Sequence, residues 1–472
     1  MRAVQYRKHW VSLGAGLLVL AIYLPTVSHD LTWLAHSGDG GELITAAVTL
    51  GIPHPPGYPT YVLLGKLASF LPVEPVAYRF HLLSALCAAL AAALLTATVQ
   101  ELQKEPASSW PQLLAIVPGC LFAFSPLVWQ QAQVAEVYTL NLAVVALFLW
   151  LLLRQKPSPF ITGLFFGLSL TTHLTSVLLL PLGLAHTPAR SWGRFGSGAL
   201  LGTTPFLLLP VLARQGSPVI WGDPTSLRGW FWLVTAQIYQ PNQFALPWAD
   251  TWLRLAEWGK PFLWQLMIVG WPLLVLAGWQ QRHGRSSIPP KTWWLLVGTA
   301  VAYLIYAFFY RTSDAIVLTL PAWLILSLSL EPALDRLGKW ALVLPGAALL
   351  LHLAGNTGAN IHNIRVEAEH ILSATPAEAI LVTSGDPDIF AMWYFHHVEH
   401  QRPDITLVDS ALFAFDWYRA HLGQQYPYLH ALEEDNLPLF ESENQRQRAV
   451  CYAHFFGEPD RSRAVRCVEG SN

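Results

Sequence analysis

Two carboxylates three residues apart open the stretch of this chain richest in reactive side chains. It reads Ser37-Gly38-Asp39-Gly40-Gly41-Glu42-Leu43, then Gly51-Ile52-Pro53-His54-Pro55-Pro56-Gly57-Tyr58-Pro59. That spacing puts Asp39 and Glu42 on one face of a short helix from about Gly40 to Leu50, lying along a membrane surface. Such a pair can do general acid–base work. It can equally serve the helix itself, with Asp39 as cap and Glu42 completing a capping arrangement, and both readings stay open. His54, pinned by proline on each side, is either a site residue or a hydrogen-bonded structural one, in a turn that rigidly separates two surface helices. Glu136 either complements the dipole of the helix that follows or adds a second carboxylate that orients an acceptor or holds a metal. His173 interrupts an apolar run, which is costly without a reason. Lys66 and Arg79 are site cations or snorkelling side chains. Asp223 is a helix cap or a site acid, with Arg228 just beyond it.

The elements that must position these groups are apolar. Of 472 residues, 53% are hydrophobic and 12% charged, against roughly 25% charged in soluble proteins; the mean hydropathy is +0.38. A net charge of -2 supplies no basic field, so a nucleic-acid binder is excluded along with a soluble enzyme and a disordered scaffold. Spans of about 20 residues are expected at 10–27, 76–100, 110–128, 137–153, 195–213, 262–279, 292–310, 315–330 and 340–355. Arg2, Arg7, Lys8 and His9 before the first run suggest a secretory signal, but no small-x-small cleavage site follows, so a retained span is expected.

Residues 158–186 decide the topology. With the N-terminus inside, Lys104, Arg154, Lys156, Arg190, Arg194, Arg282, Arg285, Lys291, Arg336 and Lys339 all fall in cytoplasmic loops, as the positive-inside rule asks. This holds only if 158–186 enters and returns, turning at His173 near the outer face. The expectation is therefore an all-α polytopic membrane domain, 1–358, with about eleven crossings, two of them short. Its outer loops are 28–75 and the Trp-rich 214–261. A small extracytoplasmic α/β domain, 359–472, follows. Within it, 379–382 and 405–408 read as strands and Asp388 to His400 as the helix of a βαβ unit. Ser384-Gly385-Asp386 suggests a phosphate at a helix N-terminus, but there is no glycine-rich loop, and the domain reads as acceptor-binding, as a lid, or as purely structural. Cys87 and Cys120 lie in spans. Cys451 and Cys467 could form a disulfide if the tail is outside the cytoplasm. His396, His397 and His400 read as exposed helix residues, and neither a metal nor a cofactor is expected.

The motifs carry a resemblance. Gly38-Asp39-Gly40-Gly41-Glu42-Leu43 with His54-Pro55-Pro56-Gly57-Tyr58-Pro59 resembles the G-D-S-G-E-L … H-P-P-G-x-P pattern of the protein O-mannosyltransferase-like family, placed in the GT-C glycosyltransferase superfamily. The chain departs at Gly40, where the family usually has Ser. Ala135-Glu136-Val137-Tyr138-Thr139-Leu140-Asn141, Thr171-Thr172-His173-Leu174-Thr175 and Trp221-Gly222-Asp223-Pro224 resemble further family motifs. The resemblance implies a GT-C-like fold in a bacterial inner or a plasma membrane. It implies transfer of a sugar, with mannose the guess, from a polyprenyl-phosphate donor to an extracytoplasmic protein hydroxyl or glycan, by inverting displacement. Asp39 is then the expected base, Glu42 a second choice or an acceptor-positioning partner, and Glu136 and Asp223 further substrate-binding acids. His54, His173, Lys66, Arg79 and Arg228 are candidates for the leaving phosphate. A lipid-linked glycan transporter would instead call for inverted repeats and midplane charges, and a non-catalytic scaffold is the third alternative.

Overall fold

The computed structural model describes residues 2–103, 110–355, 364–453 and 464–468. Lys104 and the expected domain boundary at 358/359 lie outside the described residues. The chain is mostly helical, with a small C-terminal sheet. Among the described residues, Val76–Leu102, Ala189–Leu212, Pro290–Phe309 and Ala315–Leu334 are long and apolar enough to cross a membrane. Shorter apolar helices include Tyr138–Leu153, Pro159–Thr172 and Leu174–His186. Large apolar side chains such as Leu17, Leu86, Leu200, Val275 and Ile305 stand exposed on the bundle's outside, as lipid contact requires.

Two expected spans are broken. The run 110–128 divides into helices Trp110–Leu114, Ile116–Ala123 and Pro126–Gln131. The run 262–279 straddles a 71° bend between Trp248–Gln265 and Gly270–Arg282, where Met267 and Ile268 take φ of 51° and 59°. Trp248, Trp252 and Leu253 project exposed from the first arm of that bend, while its charged residues Asp250, Arg254, Glu257 and Lys260 break the apolar pattern that a crossing needs.

Small residues set the direction of the chain through 158–202. A Cβ on Gly163 or Gly167 would come within 2.0 Å of the carbonyl oxygens of Phe195 and Ala199, and Gly198 and Gly202 lie as close to those of Phe160 and Leu164. Backbones approach this closely only where side chains are absent. The contacting residue numbers rise together, so Pro159–Thr172 and Trp192–Gly202 run parallel. The chain must return between them, and it does so through 174–186 after breaking at His173, whose backbone is extended (φ −166°, ψ 129°). At the far end from His173, His186 Nε2 lies 3.0 Å from Thr292 Oγ1, close to Arg190, Arg194 and Lys291 in sequence.

The C-terminal domain builds a four-stranded sheet ordered β2-β1-β3-β4. Its strands are β1 (Ile380–Thr383), β2 (Thr406–Asp409), β3 (Val450–Ala453) and β4 (Val465–Cys467). β1 pairs in parallel with β2 and β3, and β4 runs antiparallel to β3, with Cys451 and Cys467 facing partners joined by a disulfide. The βαβ helix is Asp386–Trp393, which widens into a π-type turn through Val398. This domain shares one hydrophobic core with the segment 28–75. Arg365 bonds both Asp30 and Glu399, and Tyr394 accepts a hydrogen bond from the Ala77 N–H at 3.1 Å.

Candidate active site

The helix Gly40–Thr49 is seated by Gly41, whose position leaves no room for a side chain against the Phe390 carbonyl. Asp39 stands at its N-cap, yet its side chain makes no capping hydrogen bond. Glu42 does not complete a capping arrangement either. It is fully buried and turns to His54, accepting from the backbone N–H at 3.1 Å and from Nδ1 at 2.5 Å. Glu42 is thus a clamp on His54, and it is not among the residues that line the cleft described below. His54 is brought there by backbone pairing two residues earlier: the Ile52 N–H donates to Val219 and the Ile52 carbonyl accepts from Trp221. The free edge of the imidazole, Nε2, lies 3.8 Å from Asp39 Oδ2.

Asp39 and His54 line a cleft of about 400 Å³ together with His173, Asp314, Asp386 and a set of tyrosines, among them Tyr58, Tyr138, Tyr239 and Tyr310. The Asp39 side chain keeps 35% exposure there. Burial raises its pKa above the ordinary carboxylate range; the His54 charge pulls the other way and Asp314 adds to the rise. Burial likewise pushes Glu42 up, to about 7, against the pull of His54. Burial works against charge on His54 as well, but Glu42 first and then Asp39 overcome it and raise the imidazole to about 10. The two carboxylates therefore favour the protonated imidazole, whose Nε2 is turned toward Asp39. Burial and then Asp39 raise Asp386 to about 6. His173 enters the cleft with Nδ1 2.8 Å from Thr175 Oγ1. Glu136 is buried behind these groups, and its Oε1 has no hydrogen-bond partner among the described residues.

The structure does not bring the remaining sequence candidates to this cleft. Lys66 donates to the Val48 carbonyl at 2.5 Å and lies over the Phe70 ring. Arg79 ties the next turn together through Val73, Ser69 and Glu74. Both cations are spent on local backbone. Asp223 holds the turn at Thr225, and it lies with Arg228 on a separate groove. Sequence reasoning missed Asp314, although an acid in the short polar stretch between two apolar runs is a usable signal. Asp386 was noted only in connection with a helix N-terminus; its place opposite Asp39 depends on how the tail docks. Among the described residues, no group of three or more His, Cys, Asp or Glu is arranged to hold a metal ion.

The comparisons agree with the motifs. The family description "Protein O-mannosyl-transferase TMEM260 N-terminal domain" matches residues 39–189, and "TMEM260-associated domain 2" matches 365–438. The chain is 28% identical to the protein O-mannosyl-transferase TMEM260 of Mus musculus, an alignment covering 89% of this chain and 65% of the relative. It is 20% identical to the Dictyostelium discoideum protein of the same name, covering 85% of this chain and 58% of the relative. The chain thus spans less than two thirds of the length of either. The first matched segment begins at Asp39 and the second contains Asp386, so both acids facing across the cleft lie in matched sequence. By both matched segments, and along most of its length, the chain is similar to the protein O-mannosyltransferase-like family of membrane proteins that its motifs resemble.

Proposed function

We propose that this chain is an integral membrane glycosyltransferase that moves a sugar, mannose by its likeness to the named relatives, from a polyprenyl-phosphate donor to a protein hydroxyl. The observation that carries the reading is Asp39: a part-exposed carboxylate in a tyrosine-lined cleft, 3.8 Å from a cationic His54. In the step proposed, Asp39 takes the acceptor's O–H proton as its oxygen attacks the anomeric carbon. The bond from that carbon to the phosphate oxygen breaks, and the phosphate leaves with the electron pair. His54, held charged by Glu42, and the hydroxyls around it stabilise that departing charge. His173 is a second group available to the phosphate, and Glu136 supports the charge on His54 from behind. No metal or cofactor is invoked.

The four long apolar helices, the bent pair and the six shorter ones would together make the eleven crossings of a GT-C-like domain. The cleft and the tail would then face the extracytoplasmic side, a placement supported by the basic residues clustering at the loops of the opposite end and by the Cys451–Cys467 disulfide. The test is a transfer assay over a panel of polyprenyl-phosphate sugars. Asp39→Asn should lower transfer about 10²–10⁴-fold while the protein remains folded and inserted. Unchanged turnover in that variant would remove Asp39 as base.

A further inference from the structure

A second groove, of about 760 Å³, lies where the second outer loop meets the C-terminal domain. Asp223, Arg228 and Trp232 form one wall, and Asp416, Trp417 and Gln424 the other. It adjoins the cleft through one ring: Trp221 lies 6.3 Å from His54 on one side and 5.5 Å from Trp417 on the other. Trp417 in turn sits 6.4 Å from Trp232. The two walls are fastened where Gln425 Nε2 donates to the Ser217 carbonyl at 3.1 Å.

We propose that this groove is the acceptor subsite, seating an extended polypeptide segment whose hydroxyl reaches past Trp221 to Asp39. The inference rests on the transferase reading above and adds where the acceptor binds. Three features favour a polypeptide over the donor's lipid. The walls come mostly from the loop after the 195–213 run and from the tail domain, and of that apolar run only Ala213 borders the groove. Its rim carries exposed charge, two acids and one arginine, which a prenyl chain would desolvate at a cost. Its indoles, Trp232 and Trp417, are flat apolar surfaces suited to side chains. The volume falls in the range of sites that take small ligands and short segments.

The experiment measures transfer to a protein acceptor and, separately, hydrolysis of the donor to water without acceptor. Gln424→Trp, at an exposed position, fills the groove without touching the core, and Trp417→Ala removes its platform. Each should raise KM for the protein acceptor about tenfold or more, the effect of one lost anchor, with donor hydrolysis unchanged. If wild type transfers and both variants keep its acceptor KM, the groove is not the subsite. If KM shifts for a free glycan but not for the protein, the polypeptide occupant is wrong. If wild type neither transfers nor hydrolyses any donor, it is the transferase reading that fails.

Discussion

Replacing Gly41 by Ala tests whether the cleft depends on the tail. A Cβ at Gly41 would stand 2.2 Å from the Phe390 oxygen, 2.6 Å from its carbonyl carbon and 3.0 Å from the Ala391 nitrogen. All three atoms are backbone, so no rotamer change can yield. Restoring an ordinary contact of 3.4 Å requires the helices Gly40–Thr49 and Asp386–Trp393 to part by about 1.2 Å. Overpacking of this kind costs about 1–3 kcal/mol. The larger consequence is positional, because Asp39 and Asp386 line one cleft from the N-terminal ends of the two helices that must separate. A displacement near 1 Å in a reacting constellation lowers rates about 10²-fold. The assay is kcat for transfer beside thermal melting in detergent, with Gly40→Ala as comparison. There the nearest atom is the Ser37 hydroxyl at 2.9 Å, which can rotate, so the loss should be far smaller. A Gly41→Ala protein that melts and turns over within twofold of wild type would refute the argument.

Other outcomes are expected. The His54 imidazole is raised from its ordinary value near 6.5 to about 10 and Glu42 to about 7, so their ion pair is present between those two values and is lost on the acid side as Glu42 takes up a proton. That contribution fades as the pH climbs through about 10. Glu42→Gln removes the strongest raising charge and should cost about 3–5 kcal/mol while flattening the alkaline loss of melting temperature; an unchanged alkaline slope would contradict the assignment. Arg365→Ala strips Asp30 and Glu399 of their shared guanidinium and should loosen tail docking by about 2 kcal/mol, read as faster hydrogen exchange over 364–374. Gly167→Leu should separate the parallel helices and abolish recovery of folded protein, since its Cβ meets the Ala199 oxygen at 2.0 Å; normal yield would disprove the close packing.

What the sequence revealed, it revealed through local signals. Apolar runs located the helices, and the β1 and β2 strands stood out by their branched residues. The break at His173 lies where the basic residues at 190 and 194 had called for a reversal. Broken helices escaped notice because an apolar run looks the same whether straight or bent at Met267. In the cleft, Asp39, His54 and His173 were legible from composition and motif. The tie from Glu42 to His54 left no local signal, because the two are twelve residues apart and outside any helical spacing rule. Lys66 and Arg79 looked available because their carbonyl partners leave no trace in side-chain identity. Asp314 and Asp386 reach the site only through tertiary docking, and no spacing connects residue 39 with residue 386. The departure at Gly40 also has a local context: the Ser37 hydroxyl occupies the space beside the missing side chain.

The Arg365 clamp joins a residue near the beginning of the chain to two near its end. Asp30 emerges from the ribosome long before Glu399, so the segment 28–75 waits, without its ceiling, through the synthesis of every helix between them. Only when the segment carrying Asp386 has been made and has docked does the nascent chain acquire the whole lining of the cleft. Order of synthesis would thus act as a safety catch, keeping a half-built molecule from presenting a finished site.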